Sequence, residues 1–242
     1  MSPGLLVEGR ATPGGKAPPA CFDRLARSYV WLEYLSFGPM LSRTRLHYLS
    51  EMARARRVLV LGDGDGRFLQ SLLRSNDQAI FDVVDSSGAM LAELAGRANH
   101  DPRVRLHCCD ALDFEPSKAR MTASPVCSAE GAPYDLVVSH FFLDCFATGE
   151  LEQLLSRIRP HLAPHASWVV SEFALPGSKA GSWLAAGLIR GMYLAFGLLT
   201  GLRVRELPNY AWAFRRAGLR RSRYKLRVGG LLTSELWQTQ VD

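Results

Sequence analysis

The stretch Val58-Leu59-Val60-Leu61-Gly62-Asp63-Gly64-Asp65-Gly66-Arg67-Phe68-Leu69 decides the fold of this chain. Its four consecutive aliphatic residues read as a strand buried on both faces, and the glycines at alternate positions read as a tight turn. Phe68, Leu69, Leu72 and Leu73 then begin a helical stripe. Strand, glycine turn and helix in that order open a nucleotide-binding α/β domain. Without a Cβ, glycine lets the backbone turn sharply and lets a ligand lie against bare peptide at the mouth of the sheet.

The charges in the turn narrow the ligand. A dinucleotide fingerprint asks for a third glycine where Arg67 stands, and it sets a pyrophosphate on the N-terminus of the following helix. Asp63 and Asp65 would repel that pyrophosphate. S-adenosylmethionine has no phosphate and carries an ammonium and a sulfonium, so the spacing G-x-G-x-G with acids between suits this methyl donor.

With this turn the chain resembles the class I S-adenosylmethionine-dependent methyltransferases, and three further stations carry the resemblance. Phe81-Asp82-Val83-Val84-Asp85-Ser86-Ser87-Gly88 looks like the family's second strand, whose terminal acid takes the ribose hydroxyls. Asp85 also stands at about the 20-residue spacing expected of a ribose-binding acid. His107-Cys108-Cys109-Asp110-Ala111-Leu112 is similar to the third-strand motif, in which the acid, here Asp110, bonds the adenine amino group. Tyr134-Asp135-Leu136-Val137-Val138-Ser139-His140-Phe141-Phe142-Leu143 looks like the fourth strand, whose backbone passes the methionine end of the donor. The resemblance runs over roughly residues 55 to 240 and implies a Rossmann-like α/β fold. That fold has a mostly parallel seven-stranded sheet closed by a C-terminal antiparallel hairpin. It places Gly62, Asp63, Gly64, Gly66, Asp85, Ser86, Asp110, Ala111, Ser139 and His140 around the donor. The chain departs from the family two residues before the first glycine, where Val60 replaces the usual acid; Asp63 or Asp65 is the candidate substitute.

Upstream, residues 1 to 20 are rich in glycine and proline and are expected to form a disordered tail. Leu5-Leu6-Val7 is too short for a signal-peptide core. Phe22, Leu25, Tyr29, Leu32 and Leu35 recur at helical spacing, Phe37-Gly38-Pro39 breaks the run, and a second helix is expected from about Met40 to Ala53. Phe22-Asp23-Arg24-Leu25-Ala26-Arg27-Ser28-Tyr29, with Phe37-Gly38 behind it, is similar to the start of the ubiquinone/menaquinone C-methyltransferases. That likeness makes residues 21 to 55 lid helices and Tyr29 an aromatic over the donor, with packing into the core as its other reading. Those enzymes carry an Arg-Asn pair where this chain has Asp144-Cys145, which separates it from a quinone acceptor.

Composition sets broader limits. The 242 residues, 48% of them hydrophobic, suit a single α/β domain spanning residues 21 to 242. Cys21, Cys108, Cys109, Cys127 and Cys145 show no metal-ligand spacing and read as reduced thiols of a cytoplasmic protein, with Cys108-Cys109 expected inside a buried strand. No metal is expected. The net charge of +6 comes almost wholly from arginine and suits an anionic partner or a solvated surface equally.

Beyond the core turn, strands are expected near residues 57–61, 79–84, 103–108 and 167–173, with helices near 66–75, 87–99 and 149–161. Residues 115 to 133 read as a flexible excursion. After strand four, His140 and Asp144 are the catalytic candidates, together forming a base for a hydroxyl, amine or thiol. Backbone contact with the donor for His140 and helix capping for Asp144 are the alternatives. Glu172, at the end of strand five, reads either as an acceptor contact or as a structural partner. The apolar run from Trp183 to Leu202 lies in a cap insertion, residues 177 to 205, with Trp183, Ile189, Tyr193 and Phe196 toward an apolar acceptor. Reversible lipid contact rimmed by Arg190, Arg203 and Arg205 is its second reading, which would make the cytoplasmic protein peripherally membrane-associated.

At the C-terminus, Tyr224, Leu226 and Val228 alternate with Arg221, Arg223, Lys225 and Arg227, which puts the cations on one face of a strand. The expected reaction is in-line transfer of the methyl group of S-adenosylmethionine to a small apolar or amphipathic acceptor, leaving S-adenosylhomocysteine. A non-catalytic donor-binding module and an RNA methyltransferase using the arginine-rich surface are the alternatives. No stable nucleic-acid complex is expected, because Ser139-His140-Phe141-Phe142 stands where base amino-group methyltransferases carry an Asn-Pro-Pro-Tyr-like motif.

Overall fold

The computed structural model describes residues 39–119, 132–174 and 208–240. The N-terminal tail, Tyr29 and its helix, most of the 115–133 excursion and the cap insertion with Trp183, Arg190 and their neighbours lie outside the described residues. Seven strands form one sheet: β1 (Arg57–Leu61), β2 (Ile80–Asp85), β3 (Val104–Cys108), β4 (Tyr134–His140), β5 (Leu162–Phe173), β6 (Leu219–Arg227) and β7 (Leu232–Thr239). Their order is β3-β2-β1-β4-β5-β7-β6. The pairings among β1 to β5 are all parallel, and β7 runs antiparallel between β5 and β6. The helices are α1 (Pro39–Arg45), α2 (Leu49–Met52), α3 (Arg67–Ser75), α4 (Gly88–Arg97), α5 (Pro116–Ala119), α6 (Thr148–Ile158) and α7 (Tyr210–Arg216). The expected mostly parallel sheet with a closing antiparallel hairpin is therefore present.

Alternation along the central strands builds two cores. Val58 and Val60 join Phe68, Leu69, Leu72 and Val83 on one side of the sheet, whereas Leu59 and Leu61 join Val137, Trp168, Phe214 and Trp237 on the other. All five residues of β1 are buried, which is why the strand reads as an unbroken aliphatic run. On the second side Phe214 of α7 meets Trp168 edge-on at 4.8 Å and Trp237 at 5.2 Å, fixing the hairpin to the parallel strands.

Three expectations need correction. The single helix expected over Met40 to Ala53 is broken into α1 and α2, because the Thr44 carbonyl accepts from Ser234 Oγ at 2.7 Å and Ser171 Oγ at 3.2 Å. Those side-chain bonds tie the end of α1 to β5 and β7, and the carbonyl is directed at the sheet rather than along a continuing helix. The Cys108-Cys109 pair is not in a buried strand: Cys108 is exposed and Cys109 partly so, since β3 is an edge strand whose Leu106 is itself 38% exposed. The cations of β6 do not share one face. A bulge between Arg221 and Arg223 shifts the register, leaving Arg221 over the Tyr224 ring at 4.7 Å and against Glu235, while Arg223 reaches Glu51.

Candidate active site

The parallel sheet reverses its strand order between β1 and β4, and the glycine turn sits at that crevice, outside the carboxyl ends of the strands. Gly62, Gly64 and Gly66 all adopt positive φ, at 65°, 58° and 80°, a region costly for any other residue here. A Cβ on Gly66 would stand 2.7 Å from Leu94 Cγ, so this glycine also lets α3 pack tightly on α4. A Cβ on Gly62 would run into the ring of Phe142.

The two acids of the turn have separate employments. Asp65 is buried and paired with Arg67 Nε at 3.0 Å and Arg97 at 3.1 Å, while Arg97 Nε also donates to the Asp65 carbonyl at 2.9 Å. Asp65 therefore holds the turn to the end of α4. Asp63 Oδ2 accepts the Leu69 N–H at 2.9 Å, which places a carboxylate of the protein itself on the first turn of α3. Burial pushes the Asp63 carboxyl up to about 7, against the lowering effect of the Leu69 N–H and of the Arg45 charge. A phosphate at this helix start would meet Asp63, so the turn fits a ligand without one.

Asp85 ends β2, and its Oδ1 accepts from Ser87 N at 2.9 Å, an Asx turn that starts α4 and fixes the carboxyl at the strand end. Exposed Ser86 follows it. Asp110 lies just beyond β3, exposed, with Oδ1 accepting from Leu112 N at 2.8 Å, and Ala111 is buried beside it. Gly62 N donates to the Val84 carbonyl and Cys109 N to the Asp85 carbonyl, which ties the three strand ends into one rim. Ser139 is fully buried and its hydroxyl accepts from Trp168 Nε1 at 3.0 Å; its side chain is therefore occupied by the core.

His140 lies on the α3 side, buried, with its ring edge-on to Phe68 at 4.4 Å. Neither ring nitrogen has a hydrogen-bond partner. Burial, reinforced by the Arg45 charge, holds its pKa well below the ordinary value and keeps the imidazole neutral. Asp144 sits on a 3₁₀ turn, Leu143–Cys145, and is not hydrogen-bonded to His140. The two catalytic candidates are thus placed in different surroundings rather than joined as a pair.

The side chain beside Asp144 is Glu172. In the parallel register His140 faces Ser171, so the next residue, Glu172, points to the opposite side of the sheet. Its Oε1 accepts from Phe142 N at 3.0 Å and Leu143 N at 2.8 Å, while its Oε2 is buried without a partner. Burial first, and the Asp144 charge next, hold the Glu172 carboxyl well above its ordinary range. The same neighbours and its own burial push the Cys145 thiol up. Between β4 and this turn, Phe141 takes a φ of 53°, an outlier for a bulky residue, with its ring against Phe173 at 5.0 Å and beneath Arg45 at 5.2 Å. Sequence reasoning missed both Phe141 and Phe142, since nothing in a Phe-Phe pair announces a left-handed residue.

Known proteins share this arrangement. Residues 59–167 match the family described as a methyltransferase domain. A polyamine aminopropyltransferase 2 from Bacillus anthracis is 28% identical over 133 residues, covering 50% of this chain and 34% of that protein. The chain thus spans about a third of the length of the curated relatives it matches. Among solved structures, an O-methyltransferase family protein from Burkholderia thailandensis superposes with a TM-score of 0.61 at 20% identity, over 89% of this chain and 61% of that one. The N-methyltransferase NodS from Bradyrhizobium japonicum WM9, in complex with S-adenosyl-L-homocysteine, gives 0.53 at 12% identity over 83% and 88%. Motif order, strand order and family match agree: the chain carries a methyltransferase domain, built on the class I S-adenosylmethionine-dependent methyltransferase fold.

Proposed function

We propose that the chain is an enzyme that transfers the methyl group of S-adenosylmethionine to a small-molecule acceptor, releasing S-adenosylhomocysteine. The observation that carries this reading is the glycine turn at the β1/β4 crevice, whose helix start is already capped by Asp63. In this reading bare peptide at Gly62 and Gly64 lines the donor, Asp85 takes the ribose hydroxyls, and Asp110 takes the adenine amino group. NodS, in complex with S-adenosyl-L-homocysteine, supports the choice of donor.

When bound, the sulfonium supplies an already activated methyl group, so this chain's residues have to orient the acceptor and exclude water. Phe141, Phe142 and Phe146 form an aromatic wall after β4 that serves both ends. His140, neutral and without a hydrogen-bond partner, can accept a proton through either ring nitrogen. The acceptor is small and apolar or amphipathic.

Among the described residues no helix is long and apolar enough to cross a membrane, and lipid contact would have to come from the 183–202 stretch. The RNA reading draws less support, because Arg221, Arg223 and Arg227 are engaged by Glu235, Glu51 and His47. Aminopropyl transfer is a second reading, favoured by the likeness to the aminopropyltransferases over 133 residues.

Calorimetric titration with S-adenosylmethionine, S-adenosylhomocysteine and NADH tests the donor. Binding of the first two at micromolar concentration and none of NADH is expected. Binding of NADH alone would overturn the proposal. Product mass after incubation with an acceptor panel then separates methyl from aminopropyl transfer.

A further inference from the structure

Two glutamates stand on the same side of the sheet near the ends of β5 and β7, and the protein treats them differently. Glu235 accepts from Tyr210 Oη, Thr233 Oγ1 and Trp237 Nε1, and it is paired with the Arg221 guanidinium at 3.0 Å. Its negative charge is therefore matched by a cation. Glu172, 1% exposed, has only two backbone N–H donors on Oε1, none on Oε2, and Asp144 as its nearest charged influence. The titratable groups facing it are Asp144 and Cys145 on the 3₁₀ turn, Glu235 on β7 and Tyr210 on α7. All are anionic or neutral.

A carboxyl buried one donor short is costly, and beside a second carboxyl it is costlier. Nothing structural demands Oε2, because a glutamine would hold Phe142 N and Leu143 N equally well through its carbonyl. A hydroxyl ligand could satisfy the oxygen but would leave two neighbouring carboxyls competing for charge. A cation satisfies both. Among the described residues no group of three or more His, Cys, Asp or Glu is disposed to hold a metal ion, which leaves an organic cation.

We infer that Glu172, with Asp144 beside it, forms a subsite for the protonated amine of the acceptor at the carboxyl ends of β4 and β5. This rests on the reading of the crevice as a group-transfer site, and it names the acceptor class as an aliphatic amine. Binding of the ammonium lets both carboxyls ionise, so the proton they hold in the free protein leaves to solvent. A proton passing afterwards from the ammonium nitrogen to Glu172 Oε2 would free the nitrogen lone pair and leave the carboxyl neutral. The neighbouring aromatic wall of Phe142 and Phe146, 5.1 Å apart at their ring centres, suits the alkyl part.

The test is calorimetry on the full chain at pH 7 with n-hexylamine and its isostere 1-hexanol, each with and without S-adenosylhomocysteine, in two buffers of different ionisation enthalpy. The amine is expected to bind about tenfold or more tighter than the alcohol, with release of about one proton. Glu172→Gln keeps the two backbone bonds and should lose both the preference and the proton release while binding S-adenosylhomocysteine as before. Equal binding of amine and alcohol, no amine binding, or an unchanged Glu172→Gln would overturn the inference. Failure to bind S-adenosylhomocysteine while the amine preference persists would instead count against the donor reading alone.

Discussion

The Phe142 ring occupies the space that any side chain on Gly62 would need, and Phe142 is itself held by the Glu172 carboxylate through its backbone N–H. The first residue of the donor turn, the segment after β4 and the end of β5 thus form one contact chain across the crevice. Gly62→Ala should suffer twice, from a φ of 65° and from collision with the ring. We expect a loss of about 2–4 kcal/mol in urea denaturation, together with weaker S-adenosylhomocysteine binding. Gly62→Ala combined with Phe142→Ala should recover part of both losses. Additive damage in the double variant would mean that the ring does not press on the turn.

How much of this was legible beforehand follows from what each residue needs. The parallel core could be read because β1 is buried on both faces and must therefore be aliphatic throughout, and the three glycines could be read because their φ values exclude most side chains. Asp85 and Asp110 were found by position in a motif. The partners of Asp65 were not legible: Arg97 lies 32 residues away, at the end of α4, and nothing local marks it as different from any other helical arginine. The break after α1 was equally hidden, since it depends on Ser171 and Ser234, far along the chain. In β6 the period-two pattern failed at a single bulge residue, Ser222, whose hydroxyl bonds the Leu236 carbonyl at 3.0 Å. Glu172 was noticed only as a strand-end acid; its unpaired oxygen is a property of the assembled sheet.

Asp63 makes a pH prediction with a definite sign. Its carboxyl is raised in the folded chain to about 7 from an ordinary value of 3.8. Between those values the folded protein binds more protons than the unfolded one, so stability falls as pH rises through that window. Asp63→Asn should flatten this slope, matching the wild type near pH 4 and exceeding it at pH 8 in urea denaturation. If Asp63 also meets the donor's ammonium in place of the acid that Val60 lacks, S-adenosylhomocysteine affinity should rise from pH 6 to pH 8 in the wild type and stay level in Asp63→Asn. A parallel rise in both proteins would remove Asp63 from the donor site.

The ribose role of Asp85 can be separated from its structural one. Ser87 N needs only an oxygen on residue 85, which Asp85→Asn still supplies. The variant should therefore fold with unchanged denaturation midpoint and bind S-adenosylhomocysteine about tenfold to a hundredfold more weakly, the effect of losing charge-assisted bonds to hydroxyls. Full affinity in the variant would displace the ribose from the end of β2.

At the opposite end of the strands, a buried polar group offers a control in which stability and ligand binding should part. Arg57 and Asp82 are both essentially inaccessible and pair at 2.7 Å, and Asp82 also accepts from Tyr134 Oη at 2.8 Å and contacts His107 Nε2 at 3.0 Å. Arg57 begins β1 and Tyr134 begins β4, so the cluster is far along the strands from the glycine turn. Removing one partner of such a pair strands the other charge in the core. Arg57→Met should cost about 3–5 kcal/mol in urea denaturation at pH 7. Combining it with Asp82→Asn should return a large share of that loss, because the stranded charge disappears while an oxygen remains for the tyrosine hydroxyl. S-adenosylhomocysteine affinity, measured on the folded fraction, should stay within about twofold of the wild type, since a distant, uncoupled change alters stability alone. A large drop in affinity would instead tie the base of β1 mechanically to the donor turn at its other end.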